Sequence, residues 1–366
     1  MAGIYVHIPF CHAKCAYCDF FSSPRMEQAE VVTRGIVAEY HSRFGELDGQ
    51  PIETIYLGGG TPSCLPQKLL QEIIDALPSV QASEITIEVN PEDVTDASAA
   101  FWRSLGFNRV SMGVQSLVDE ELAAVGRRHT AEEALDALSC LREAGFHNIS
   151  CDLIYGLPGQ SADSWKYSLD TLLNRDIEHL SAYSLSYEPG TRLTAMLAAG
   201  KITPADDDCV ADMYGYLCET ARAHGFEHYE ISNFARPGIR SRHNSSYWNY
   251  TPYLGLGPGA HSMDATGTRR ASPPSVKRWI EHGAIVEEET ALDKVNDAII
   301  TGLRTSDGLA PASIKDMRFI DKILRRAARY ISSGRIVHAG GRLVIPEQHW
   351  LVSDAIMRDL LLDEES

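Results

Sequence analysis

The chain has 366 residues, 44% of them hydrophobic, and its 50 acidic against 33 basic side chains give a formal net charge of −17. This length suits one large domain plus a smaller one, and the charge argues against a nucleic-acid-binding surface. No apolar run approaches the roughly eighteen residues of a membrane span, and the opening MAGIYVHIPFC lacks a basic n-region and a cleavage-type site. A cytoplasmic location is expected, with the eight cysteines as thiols or metal ligands rather than disulfides.

Six short strand-like runs follow one another: 4–8 (IYVHI), 54–57 (TIYL), 85–90 (ITIEVN), 109–114 (RVSMGV), 149–156 (ISCDLIYG) and 179–186 (HLSAYSLS). Amphipathic stretches separate them, with helices expected over about 26–45, 66–77, 93–105, 131–145, 162–174 and 205–224. In AEEALDALSCLREAG the apolar residues keep a helical spacing, and Gly145 stands where a helix would end. Strand–helix alternation implies parallel strands with helical crossovers. The expected fold is therefore α/β, an open, partial (β/α)6 barrel of the TIM type over residues 1–235. Residues 236–284 are rich in Gly, Pro, Ser and Asn and read as a loop-rich layer at one end of the barrel. Residues 285–366 carry helical patterns around the short GRLVIPEQHW and read as a small, mostly helical, winged-helix-like C-terminal domain.

Directly after the first strand stands CHAKCAYCDF, with Cys11, Cys15 and Cys18 in the spacing C-x3-C-x2-C. In a parallel barrel this is the C-terminal face, where sites form. Thiolate clusters usually use four cysteines, so three leave one iron open to another ligand. The competing reading is a zinc site completed by His7 or His12, although zinc motifs favour C-x2-C pairs. The other five cysteines read as small buried hydrophobes. One strand later, YLGGGTPS supplies three glycines that let backbone approach a ligand. Glu88, Gln115 and Asp152 sit at or near successive strand ends, with Arg127 between them. A buried acid in CDLIYGL wants a partner.

The cysteine spacing, with the aromatic Tyr17 before the last cysteine and the glycine run one strand on, resembles the radical S-adenosylmethionine (SAM) superfamily. The resemblance implies a [4Fe-4S] cluster on Cys11, Cys15 and Cys18, whose open iron is chelated by SAM. One electron from the cluster then cleaves the sulfonium and releases a 5′-deoxyadenosyl radical. VHIPFCHAKCAYCDF, LGGGTP, IEVNPE, SMGVQS and DLIYGLPGQ together resemble the oxygen-independent coproporphyrinogen III oxidase group, over nearly the whole chain. Carried over by position, the SAM contacts fall on Tyr5, Gly59, Gly60, Thr61, Glu88, Gln115, Arg127, Asp152, Ser186 and His261.

Within that group the sequence departs from the oxidases. They have a further cysteine where Phe20 stands, and a long segment ahead of the first strand where this chain has about three residues. HNSSYW at 243–248 matches the H-N-x-x-Y-W signature of the HemW-type haem chaperones. That branch implies haem as cargo, contacts from His243, Asn244, Tyr247 and Trp248, and transfer to haem-requiring respiratory proteins, with any membrane association through those partners. His243 would ligate or touch the iron; the alternative is a polar loop whose aromatics pack on the barrel. Arg236, Arg240 and Arg242 flank the motif and could meet the haem propionates or simply face solvent. The enzymatic alternative is coproporphyrinogen III dehydrogenation, an oxidative decarboxylation. An open cluster also implies bleaching in air and could favour a homodimer.

Overall fold

The computed structural model describes residues 1–314 and 316–363. Strands β1 (Ala2–Ile8), β2 (Ile52–Gly59), β3 (Glu84–Val89), β4 (Arg109–Gln115), β5 (Ile149–Tyr155) and β6 (His179–Ser184) pair in parallel and in chain order. They are buried along nearly their whole length, as parallel strands flanked by helices must be. Ile4, Val6, Ile55, Leu57, Ile87, Val110, Leu153 and Leu180 belong to one continuous core.

The crossovers carry α1 (Ala29–Arg43), α2 (Gln67–Ala76), α3 (Asp96–Ser104), α4 (Asp119–Ala124), α5 (Ala131–Glu143) and α6 (Ala162–Leu173). Three of them start at capping boxes written in the sequence: Thr95 with Ser98, Thr130 with Glu133, and Ser161 with Ser164. Gly145 closes α5 at φ +86°, a conformation that favours glycine. After β6 come α7 (Arg192–Ala198) and α8 (Asp207–Ala223), then the hairpin β7 (Glu227–Glu230) and β8 (Asn233–Ala235). β8 lies antiparallel to β6.

The segment 236–284 is not the loop layer its composition suggested. It holds α9 (Arg242–Trp248), β9 (Tyr253–Leu256), β10 (His261–Met263), β11 (Arg269–Ala271) and α10 (Val276–His282). β9 pairs parallel to the outer edge of β1, and β10, β11 and β12 (Ile285–Val286) extend the sheet antiparallel. The sheet order is therefore β12-β11-β10-β9-β1-β2-β3-β4-β5-β6-β8-β7, twelve strands with no closure. The six expected parallel strands form its centre.

The last region contains α11 (Ala291–Leu303), α12 (Met317–Ser332), the hairpin β13 (Val337–Ala339) and β14 (Arg342–Val344), and α13 (Ser353–Leu360). It is mainly helical, and Ile299, Ile323, Leu343, Trp350 and Leu360 continue the main core. Arg304 anchors it to β7 by an ion pair with the buried Glu230, at 3.0 Å. Among the described residues no helix is long and apolar enough to cross a membrane.

Candidate functional site

Parallel register brings polar side chains to one level inside the sheet. Glu88 pairs with Ser111, Gly113 with Asp152, and Asp152 with Ser181. Above them the loops after the strands enclose a cavity of about 480 Å³. It is lined by Cys11, Cys15 and Cys18 and by Gly59, Gly60, Thr61, Glu88, Gln115, Arg127, Asp152 and Ser186. The sequence reading thus named eleven residues that meet here.

The cysteine loop is fixed by its backbone. Ala16 N–H donates to Val125 O at 2.8 Å, Leu193 N–H donates to Ala16 O at 2.8 Å, and Tyr17 packs on Val125, Ile154 and Leu157. The Thr61 hydroxyl donates to Cys11 Sγ at 3.3 Å and Arg127 Nη1 to Cys15 Sγ at 3.5 Å. Burial raises the Cys11 thiol and pushes Cys18 up to about 11, so both keep their protons near neutrality until a cation replaces them. Neither candidate for a fourth ligand lines this cavity. His12 Nε2 is bonded to Asp93 at 3.0 Å. His7 is held between Tyr5 Oη and Phe21 O. Among the described residues no other cysteine or histidine lines this cavity, so three thiols with an open corner fit an iron–sulfur cluster better than a closed zinc site.

The three glycines are required by close approach. A Cβ on Gly58 would meet Glu88 Oε1 at 2.7 Å, and one on Gly60 would meet Ile8 O and Phe10 O, both at 2.6 Å. Gly59 lies at φ +99° with a virtual Cβ 2.3 Å from the His7 ring. Its N–H donates to Glu88 Oε2 at 3.1 Å, while the Tyr56 hydroxyl donates to Oε1 at 2.7 Å. Gln115 sits at φ +67° beside an irregularity in the β4–β5 register, a strained backbone of the kind found at functional sites. Arg127 is clamped by Gly113 O at 2.6 Å and Asn90 Oδ1 at 2.8 Å, and its buried Nε has no partner. Asn90, although it stands within the quoted IEVNPE, was not singled out from sequence.

A second cavity of about 610 Å³ adjoins the first. Phe20, Glu88 and Tyr183 line both and form the shared wall. Tyr5 and His261, expected among the SAM contacts, line this second space instead, because β1 alternates Tyr5 away from the cysteine loop and β10 lies beyond β9. Asn244, Tyr247 and Trp248 line it with Tyr253, Arg269 and Arg304. The Arg304 guanidinium lies 4.1 Å over the Trp248 ring. The latter three were missed, since each is a single residue in an unremarkable stretch.

His243 does not reach either cavity. HNSSYW forms α9 rather than a loop, capped by Ser241, and this turns the imidazole into the barrel, where it has 0% exposure. Its Nδ1 bonds Thr54 Oγ1 at 2.8 Å and its Nε2 bonds Tyr247 Oη at 2.9 Å, so both ring nitrogens are occupied. The flanking arginines are also spoken for elsewhere. Arg236 donates to Ile177 O and His224 O, Arg240 pairs with Glu227, and Arg242 with Glu53.

Burial acts on Glu88 and His243 with opposite sign. Desolvation lifts Glu88 from 4.5 to about 7, against the Tyr56 and Gly59 donors. The folded chain then holds a proton that the unfolded chain has lost, so this term makes stability fall as pH rises from about 4.5 to 7. Desolvation lowers His243 from 6.5 to about 3. There the unfolded chain binds the proton, and stability rises with pH between about 3 and 6.5. Glu88→Gln removes the falling term alone. The stability of the variant relative to wild type is expected to grow by about 3 kcal/mol between pH 4.5 and 7, read from urea unfolding at each pH. A constant difference would mean that Glu88 titrates in the fold as it does in the unfolded chain.

A sequence profile described as the Radical SAM superfamily matches residues 5–172. The chain is 34% identical over 348 residues to heme chaperone HemW of Bacillus subtilis, covering 87% of this chain and 91% of that protein. It is 35% identical to radical S-adenosyl methionine domain-containing protein 1, mitochondrial, of Mus musculus, covering 84% of this chain and 74% of that one. In structure it is similar to coproporphyrinogen III oxidase of Escherichia coli, a radical SAM enzyme, with a TM-score of 0.82 at 23% identity. That likeness of fold covers 98% of this chain and 90% of the other.

Proposed function

Because the chain belongs to the HemW family within the radical SAM superfamily, we propose that it is a haem chaperone: it binds haem in the second cavity and passes it to haem-requiring respiratory proteins. The observation that carries this reading is the pair of cavities with one wall in common, one lined by thiols and the other by aromatics. The first would hold a [4Fe-4S] cluster on Cys11, Cys15 and Cys18 together with SAM, a pair that supplies one-electron chemistry when bound. Around it, the backbone of Gly59 and Gly60 with Thr61 would receive the amino group. Glu88 and Asp152 offer acceptors to hydroxyls and cationic nitrogen, and Gln115 and Ser186 add polar contacts. Arg127 places its charge beside Cys15.

The second cavity lies in the size range of about 300–1,000 Å³ typical of ligand sites. Tyr5, Tyr247, Trp248 and Tyr253 offer faces to a macrocycle, and the cations of its lining are Arg269, paired with Glu289 and Asp297, and Arg304, paired with Glu230. His261, with 61% of its side chain exposed and its Nδ1 3.6 Å from Glu287, is the exposed imidazole of this cavity and the one we assign to the iron. His243 instead positions Tyr247.

Haem titrated into the anaerobically reconstituted protein is expected to bind saturably, with a Soret band that shifts and an affinity that falls about tenfold or more in His261→Ala. His243→Ala is expected to keep the Soret position while losing about 2–4 kcal/mol of stability, because Thr54 and Tyr247 lose their buried partner. A band that shifts only in His243→Ala would return the ligand to that residue. Absence of saturable binding would overturn the chaperone reading and direct attention to coproporphyrinogen turnover with SAM.

A further inference from the structure

Away from both cavities, Cys218 on α8, His228 on β7 and Glu347 ahead of α13 bring one ligand atom each to within 4.8 Å of one another. We propose that these three residues form a site for a divalent metal of the zinc class, joining the α8–β7 edge of the barrel to the C-terminal region. The two longest-known criteria for such a site, ligand type and ligand orientation, are both met. Thiolate, imidazole and carboxylate are the donors zinc takes, commonly as three protein ligands with the fourth position left to water.

Orientation is set by His228. Its Nε2 lies 3.2 Å from Ile231 O, a carbonyl that can only accept, so Nε2 carries the hydrogen. Nδ1, the other ring nitrogen, is the atom that would ligate the metal. It faces Glu347 Oε1 at 3.0 Å and Cys218 Sγ at 3.8 Å. A shared cation would take the place of the protons that join the three groups. An imidazole whose second nitrogen donates to a backbone carbonyl is the usual arrangement of a metal-bound histidine. The ring cannot turn away, being stacked on Phe234 at 3.9 Å and met edge-on by Trp350 at 4.3 Å.

The surrounding shell fits the same purpose. Arg222 donates to the other carboxylate oxygen, Glu347 Oε2, at 2.6 Å and so fixes which oxygen faces the ring. The buried hydroxyl of Tyr214 lies beside the Cys218 thiol, and no other group satisfies it. The remaining side is open through Glu347, whose side chain is 32% exposed, which leaves room for water as the fourth ligand.

The test is a cobalt titration of the full chain carrying Cys11→Ala, Cys15→Ala and Cys18→Ala, since those thiols would also take the ion. One Co²⁺ per chain is expected, with a thiolate-to-cobalt charge-transfer band and the visible bands of tetrahedral coordination, both abolished by added Zn²⁺. Cys218→Ser should remove the charge-transfer band. Glu347→Gln should weaken binding about tenfold or more while hydrogen exchange of the α8–β7 region without metal stays unchanged. No thiolate band in the background protein, or a band that survives Cys218→Ser, would overturn the site and leave a hydrogen-bonded His228–Glu347 pair.

Discussion

Cys15→Ser is expected to lower iron after anaerobic reconstitution from about four atoms per chain to fewer than one, with loss of the brown absorbance. The cavity supplies three thiols, and among the described residues no further cysteine or histidine lines it. Two remaining thiols cannot hold a cubane whose fourth corner is already open. The fold should survive, because the loop is pinned by the backbone bonds of Ala16 with Val125 and Leu193, not by Cys15 Sγ. The variant is therefore expected to unfold within about 1 kcal/mol of wild type when both lack the cluster. Iron analysis, sulfide analysis and urea unfolding on the same samples check this. Four irons retained would exclude the three-thiol cluster, and stoichiometric zinc without sulfide in wild type would replace it with a structural metal.

Gly60→Ala is expected to lower stability by about 2–4 kcal/mol and to weaken SAM binding about tenfold or more. The new methyl would lie 2.6 Å from both Ile8 O and Phe10 O, and 2.8 Å from Phe10 N, all backbone. Those atoms cannot rotate aside as a side chain would. They also carry the hydrogen bonds that tie the glycine run to the cysteine loop, Gly60 N–H to Ile8 O at 2.9 Å and Thr61 N–H to Phe10 O at 2.6 Å. Relieving the clash moves the two cofactor-facing loops apart. Gly45→Ala is the control, since nothing lies within 4 Å of its virtual Cβ, and it should change stability by no more than about 0.5 kcal/mol. Calorimetric titration of SAM with thermal unfolding separates the two effects. Unchanged affinity in Gly60→Ala would show that the glycine run serves only the fold.

The parts of this molecule that repeat a strong local pattern are legible in its sequence. β1 to β6 are dense hydrophobic runs, their crossover helices start at Thr95, Thr130 and Ser161 caps, and C-x3-C-x2-C is chemically specific. β9, β10 and β11 are three or four residues long and lie among glycines and prolines, too short for an alternation to register. They are strands because β1 offers an unpaired edge, which is a tertiary fact. The same limit explains His243. The hexapeptide identifies it, but whether its ring faces a cavity or Thr54 depends on how α9 is rolled against β2. That Tyr5 and His261 line the neighbouring cavity depends on a wall that only three-dimensional packing creates. Asn90 and Arg304 act through partners distant in sequence, Arg127 and Trp248.

The pairing of β1 with β9 also sets a timetable for synthesis. Gly3–Val6 leave the ribosome about 250 residues ahead of their outer neighbours, Tyr253–Leu256. At about 5–20 residues per second, that separation is on the order of ten to fifty seconds. Through this interval the nascent chain can pair β1 with β2 on one side only. The other side presents open amide and carbonyl groups beside Ile4 and Val6, both of which are fully buried in the finished protein. An exposed hydrophobic edge of this kind is a template for pairing with other chains. The edge that seats β9 in the finished protein is thus, while the chain is being made, an edge that waits unpaired for its neighbour.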